Sequence, residues 1–457
     1  MRRDGSAVSV EALENRQLLA AAPAWAAGLG GPGEDSVSGV TTDRAGNVYL
    51  TGQFSGKVDF DFSASGTTVL NGLNGSGFVA KYTAVGDLVW ARPIQLGSIG
   101  AFVQSVVVDR AGGVYLAGDF EGTVDFDPSR FGQENLTATA HDAFVLKLDA
   151  DGDFVWARRL PTTDGLPLGG DTIELAFGAG DDLFVTGKIA GPTILDGNRP
   201  FLARLTRSSG NIGLFRDLRE DLPGRASRAA AIATDRDGNP VIVGSDEESG
   251  GSFAAKYDRN GVVTWTQAWG GNDQGAKAIA VDSRGTVYVA GEFGGTQFGG
   301  MTLSPSLPSL QSFGGRDVYV VRLDPAGEIV WGRQLGGGAT DGVTDLLLDT
   351  AGNVVVSGTF IGAADFDPRR GSFVLNAGAS QDAFVATLTP GGNFVSAFAI
   401  GGKRATVFGR QIAMDRGGAL IAAATFDRAV DANPGSGSLV LRSTEDSFDV
   451  LLGRYTL

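Results

Sequence analysis

The chain has 457 residues, a formal net charge of −15, a pI near 4.6 and 42% hydrophobic residues. That balance weighs against sequence-independent nucleic-acid binding, which depends on neutralising phosphates, and no apolar run is long enough to span a bilayer. Cysteine is absent and His141 is the one histidine. Disulfides, a thiol nucleophile and a multi-histidine metal centre are therefore excluded, and the compartment cannot be read from redox usage.

Residues 1–23 differ from everything after them. Met1-Arg-Arg supplies positive charge, but Glu11, Glu14 and Arg16 interrupt any apolar stretch, and Leu18-Leu-Ala-Ala-Ala22 is too short for an ordinary secretory signal. The run Leu13-Glu14-Asn15-Arg16-Gln17-Leu18-Leu19 resembles the LEPR-XLL motif of large exported bacterial proteins, with Asn15 where the pattern has Pro. The resemblance implies an extracellular or cell-surface location.

From residue 24 onward one block recurs. It reads Asp-x-x-Gly, a strand, a long connection, a strand ending in Lys or Arg, a Gly turn, and a strand with Trp. Its starts are Asp43, Asp109, Asp235, Asp282, Asp349 and Asp415, with a degraded copy at Phe177–Val185. Asp43 to Asp109 spans 66 residues, Asp282 to Asp349 spans 67, and Asp235 to Asp282 only 47. Within a block the apolar residues alternate, as Val106, Val108, Val114 and Leu116 do, which predicts strands. Tetrads such as Asp149-Ala-Asp-Gly152 predict hairpin turns. Seven blocks of four strands predict an all-β, seven-bladed β-propeller of antiparallel blades, formed by residues 24–457 as one domain.

The ends bear on closure. Asp449–Leu457 aligns with Asp317–Asp324, a third strand, and leaves no residues for a fourth. Ala24–Gly31 matches the outer strand Val330–Gly337. The N-terminal strand is therefore expected to complete the last blade and remove an exposed sheet edge. Trp90, Trp156, Trp265 and Trp331 share one outer-strand position, where each ring is expected to pack beside the next blade.

These blocks resemble the seven-bladed β-propeller (SBBP) repeat family, in the variant with Val-Asp-Phe-Asp-Pro between the second and third strands. The motif stands at Val124–Pro128 and Ala364–Pro368, with weaker forms at Val58–Phe62 and Val430–Pro434; blocks three and four lack it. The resemblance implies a fold and no particular reaction.

The polar motifs divide as follows. In Val-Asp-Phe-Asp-Pro, Asp125 and Asp127 point to one side of a strand, as do Asp365 and Asp367, and Asp59 and Asp61. Such pairs offer Ca²⁺ hard oxygen ligands, which makes Ca²⁺ the one cofactor considered. Turn and loop formation is the preferred role. His141 reads as a solvated loop residue. Asp149–Asp153 lacks the later Glu of an EF-hand loop and reads as a turn. Lys81, Lys147, Arg204, Lys256, Arg322 and Arg454 share a third-strand position and read as architectural cations meeting a carboxylate of a neighbouring strand or blade. Spacing rules out a sialidase Asp-box, since Gly152 and Trp156 are four apart, and no G-x-S-x-G elbow is present. The resulting expectation is a monomeric, exported, non-catalytic scaffold binding a protein or glycan on a propeller face. The alternative is a carbohydrate-active hydrolase or lyase using paired carboxylates.

Overall fold

The computed structural model describes residues 21–63, 65–95, 102–129, 132–160, 172–189, 198–222, 228–246, 250–270, 275–294, 300–369, 371–444 and 447–457. Among them there are strands and turns and no helix. The leader motif at 13–19 lies outside the described residues. The first strand, β1 (Ala22–Leu29), begins two residues before the boundary expected at residue 24.

Four strands follow in each of the first four sequence blocks and in the sixth; the fifth and the last also carry a small hairpin, and the last has three strands of its own in its sheet. The first block gives β2 (Ser36–Thr42), β3 (Val48–Asp59), β4 (Val69–Tyr82) and β5 (Leu88–Ile94). The second gives β6 (Val103–Val108), β7 (Val114–Asp125), β8 (Asn135–Leu148) and β9 (Phe154–Arg159). The third gives β10 (Glu174–Phe177), β11 (Asp182–Ile189), β12 (Arg199–Thr206) and β13 (Ile212–Asp217). The fourth gives β14 (Arg228–Thr234), β15 (Pro240–Ser245), β16 (Gly251–Tyr257) and β17 (Val263–Gly270). The fifth gives β18 (Gly275–Val281) and β19 (Val287–Gly294), a small hairpin of β20 (Gly300–Met301) and β21 (Leu310–Gln311), then β22 (Arg316–Leu323) and β23 (Ile329–Gly337). The sixth gives β24 (Gly342–Leu348), β25 (Val354–Asp365), β26 (Val374–Leu388) and β27 (Phe394–Ile400). The last gives β28 (Val407–Met414), β29 (Ala419–Phe426), the hairpin β30 (Ala429–Asp431) and β31 (Val440–Arg442), and β32 (Asp449–Thr456).

Neighbouring strands pair antiparallel, in sequence order apart from the small hairpins and β1, giving a propeller-like arrangement of four-stranded sheets. Five sheets are separate. The fifth and sixth blocks join into one eight-stranded sheet, because Gly336 and Gly337 pair with Asp365 and Ala364. Glycine permits this contact: a Cβ on Gly337 would fall on the Ala363 carbonyl.

Turn chemistry explains the hairpins. Asp43 Oδ1 accepts the backbone N–H of Ala45 (2.8 Å) and Asn47 (3.0 Å), and Asp149, Asp258 and Asp324 do the same in the turns before the outer strands. Asp149–Asp153 is thus a turn, as expected.

The last sheet runs β1-β32-β29-β28, with Trp25 opposite Arg454. The Trp25 indole donates to the Ala84 carbonyl of the first block at 3.0 Å. Trp90 donates likewise to Ala150 (3.1 Å), Trp156 to Arg207 (3.1 Å), Trp265 to Pro325 (3.2 Å) and Trp331 to Pro390 (3.2 Å), each in the following block. One apolar cluster joins Val40, Leu50 and Phe78 of the first block to Ile421, Val450 and Leu452 of the last, with Leu29 of β1 buried in it. Buried apolar surface therefore lies between sheets, where no block alone could bury it.

Candidate functional site

The first strands β2, β6, β10, β14, β18, β24 and β28 all line one cavity of about 440 Å³. Its position at the meeting point of every block's first strand makes it the mouth of a central channel.

A local irregularity aims side chains into it. Six first strands carry a register shift against the second strand, and the extra residue is Ser38, Gln104, Ala230, Lys277, Thr344 or Arg410. A β-bulge leaves its extra residue out of the ladder and redirects its side chain. All six line the cavity. β10 has no such shift, and Glu174 stands opposite Thr186 and enters the lining directly.

The lining chemistry differs from block to block. Ser38 donates to the Val103 carbonyl (2.6 Å), and Gln104 is held at both ends, donating to Asp119 Oδ1 (2.7 Å) and accepting from the Ile173 N–H (2.6 Å). Lys277 sits 3.7 Å from Glu292. Arg228 donates to Thr172 Oγ1 (3.1 Å), while its buried Nε has no hydrogen-bond partner. Arg410 is exposed and lies over the Phe408 ring at 5.7 Å, and no charged partner faces it among the described residues. Burial pushes the Glu174 carboxyl up to about 8, against a 2.9 Å hydrogen bond from Ser105 and with a further upward push from Asp345. Asp345 is raised to about 7 by burial, although its oxygens accept the N–H groups of Leu346 (2.7 Å) and Ile412 (2.9 Å). Three cations, Arg228, Lys277 and Arg410, thus share the mouth with the Glu174 carboxyl, in an acidic chain.

The aspartates singled out in the sequence sit elsewhere, at hairpin tips. Val124 and Phe126 are buried while Asp125 is exposed, as the alternation predicts. Asp125 Oδ1 accepts the N–H groups of Asp127 (3.1 Å) and Glu134 (2.8 Å), and Asp127 Oδ1 accepts that of Ser129 (2.8 Å). Asp59 and Asp61 repeat this with Asp61, Thr68 and Ser63, and Asp365 and Asp367 with Asp367, Phe373 and Arg369. Each pair clasps its own tip, and the structure brings no two pairs together. Among the described residues, no group of three or more His, Asp or Glu side chains is arranged to hold a metal.

Two other expectations change. His141 lies within β8, not in a loop, and its Nδ1 is 3.0 Å from the buried Asp119 carboxylate. The third-strand cations divide: Lys256 and Arg454 meet the turn aspartates Asp235 (2.8 Å) and Asp415 (2.6 Å). Lys81 and Lys147 instead reach the carbonyls of Ala150 and Arg207 in the next block, both at 3.1 Å. A stem of that length reaches the neighbouring turn before it reaches an acid.

Among the described residues no helix is long and apolar enough to cross a membrane. No curated protein matches the sequence. Among solved structures the chain is similar to a streptogramin B lyase, with a TM-score of 0.49 and 12% identity over 94% of this chain and 97% of that one. It is similar to U3-55K, with 0.49 and 11% over 94% and 98%. It is also similar to the quinohemoprotein alcohol dehydrogenase from Comamonas testosteroni, with 0.44 and 12% over 95% and 76%. Likenesses this distant assign no activity. Residues 24–53, spanning most of β1, all of β2 and the start of β3, match the family model of the beta-propeller repeat, SBBP, so the chain carries that repeat within a propeller-like arrangement of four-stranded sheets.

Proposed function

We propose that the chain is an exported, non-catalytic, seven-bladed propeller that works as a monomeric binding scaffold, with its ligand site at the channel mouth. The observation that carries this reading is the set of bulge residues. One repeat position holds Ser38, Gln104, Ala230, Lys277, Thr344 and Arg410, so the frame is kept while the chemistry changes. A single ligand requires such asymmetry. Seven blades are supported by five separate sheets and an eight-stranded sheet that divides at a two-residue contact. Closure is supported by the Trp25–Ala84 contact, which repeats those between internal blocks. Export rests on the Leu13–Leu19 motif.

A glycan and protein array probed with the wild type and with Thr344→Trp, which fills the mouth, tests the site. Hits lost by the variant are expected; hits that persist at full strength overturn it. The alternative, a carbohydrate-active hydrolase or lyase, draws on Glu174, a carboxyl whose pKa is raised to about 8 by burial. Against it, Glu174 is the one carboxyl among the described lining residues, and each oxygen of nearby Asp345 accepts a backbone N–H. Release of reducing ends that is lost in Glu174→Gln would favour the enzyme; no release is expected.

A further inference from the structure

The mouth carries a mismatch with the rest of the molecule. The chain as a whole is at −15, yet Arg228, Lys277 and Arg410 converge on one cavity from three different blocks. Arg410 and Lys277 are exposed at this mouth and Arg228 is half-buried. Among the described residues Arg410 faces no acid, whereas Lys277 has Glu292 at 3.7 Å and Arg228 donates to Thr172 Oγ1. An exposed guanidinium with no acid beside it is open to an anionic group from outside the chain. A second feature points to the rest of the ligand. Phe102, 41% exposed, lines the same cavity, and hydroxyl and amide side chains such as Ser36 and Gln411 surround it. An exposed aromatic face among polar groups suits a sugar ring, whose C–H face is apolar and whose edge is hydroxylated. The volume of about 440 Å³ admits a mono- or disaccharide.

We propose that the channel mouth binds a small acidic carbohydrate, its carboxylate taken by Arg410 with Lys277 and Arg228, its ring against Phe102. This deepens the binding reading above and rests on it. Guanidinium suits the task because its planar donors match a carboxylate in pairs.

Isothermal titration calorimetry of the full chain with digalacturonate, acetate and neutral lactose tests it. Digalacturonate is expected to bind at least tenfold more tightly than either control, and less tightly in high salt. Arg410→Gln should weaken it at least tenfold, about 1.4 kcal/mol. Phe102→Ala should weaken it while leaving acetate unchanged. A readout without ligand separates this from misfolding: Arg410→Gln should melt no lower than the wild type, since Arg410 is exposed and faces no acid among the described residues, while losing the ligand-induced rise in melting temperature. Acetate binding as tightly as digalacturonate overturns the carbohydrate. Lactose binding as tightly, with Arg410→Gln silent, overturns the anion and leaves the mouth as a site. No sugar binding, with array hits unaffected by Thr344→Trp, overturns both readings.

Discussion

Removing β1 should open the molecule at its closing interface. β1 pairs with β32 from Ala22↔Thr456 to Leu29↔Val450, buries Leu29, and sends the Trp25 indole onto the Ala84 turn. Burying a leucine is worth about 1.5–3 kcal/mol. Truncating a half-buried tryptophan that also donates a hydrogen bond costs about 2–3 kcal/mol. Deleting residues 1–31 should therefore destabilise by about 5 kcal/mol, a third or more of a typical total of about 5–15 kcal/mol. At an unfolding entropy of about 2.1 cal/mol/K per residue, a chain this long loses about 1 °C per kcal/mol, so the midpoint should fall by about 5 °C. The deletion should also aggregate, because β32 becomes a bare edge. A chain beginning at residue 21 keeps β1 and should melt as the full chain does. The sharper comparison is Trp25→Ala against Trp90→Ala, the same contact at an internal interface, scored by calorimetry and light scattering. Equal losses, within about 1 kcal/mol, are expected. A silent Trp25→Ala beside a costly Trp90→Ala would refute closure by this strand.

Gly152 (φ +79°) would place a Cβ 2.9 Å from the Trp90 ring, whereas Gly352 (φ +82°) opens onto free space. Gly352→Ala should cost about 1 kcal/mol of backbone strain and Gly152→Ala about 2–3 kcal/mol in chemical denaturation; equal costs would deny the interlock. Stability should fall as pH rises from 5 to 8.5. Burial raises Asp35, Asp341 and Asp345 to about 7 and Glu174 to about 8, so the folded state holds protons that the unfolded state releases near pH 4. Their contribution is complete below the unfolded values and is lost as pH rises through the folded ones. Asp235 and Asp415, held low with Lys256 and Arg454 beside them, act oppositely and lose theirs only as pH falls below about 4. A melting temperature no lower at pH 8.5 than at pH 5 would count against the raised group. For Ca²⁺ at Asp125 and Asp127, ligation would show as a thermal rise over EDTA that Mg²⁺ at equal ionic strength fails to match and that Asp125→Asn with Asp127→Asn removes. The backbone clasp of these carboxylates leads us to expect equal responses to the two ions.

The frame was legible because structural roles recur with the repeat. Asp43 and Asp149 hold their turns as the Asp-x-x-Gly spacing predicts, and Trp25 was placed opposite the final strand by alignment with Trp331. Pattern failed where the structure is set by contacts distant in sequence. The fusion at Gly336 and Gly337 depends on close approach to Ala363, and nothing in a glycine pair specifies its partner. His141 was misplaced because β8 extends past the expected loop, so that the ring pairs with Asp119 across the hairpin.

The channel mouth was illegible for a different reason. Repetition selects residues that serve the fold, since a turn or an interlock makes the same demand in every block. The tip aspartates recur for that reason, and each is found clasping its own backbone. A ligand on the central axis makes a different demand of each block. Its residues must differ at a shared position, and in sequence that difference reads as noise: Ser38, Gln104, Ala230, Lys277, Thr344 and Arg410 have no common letter. Their relation is the bulge, one unpaired residue whose placement depends on the ladder with the second strand. Once that register is known, variation at a fixed position within a repeated frame becomes the signal for a binding site. Arg410, a charge without an acid partner among the described residues, becomes the residue whose substitution is most informative.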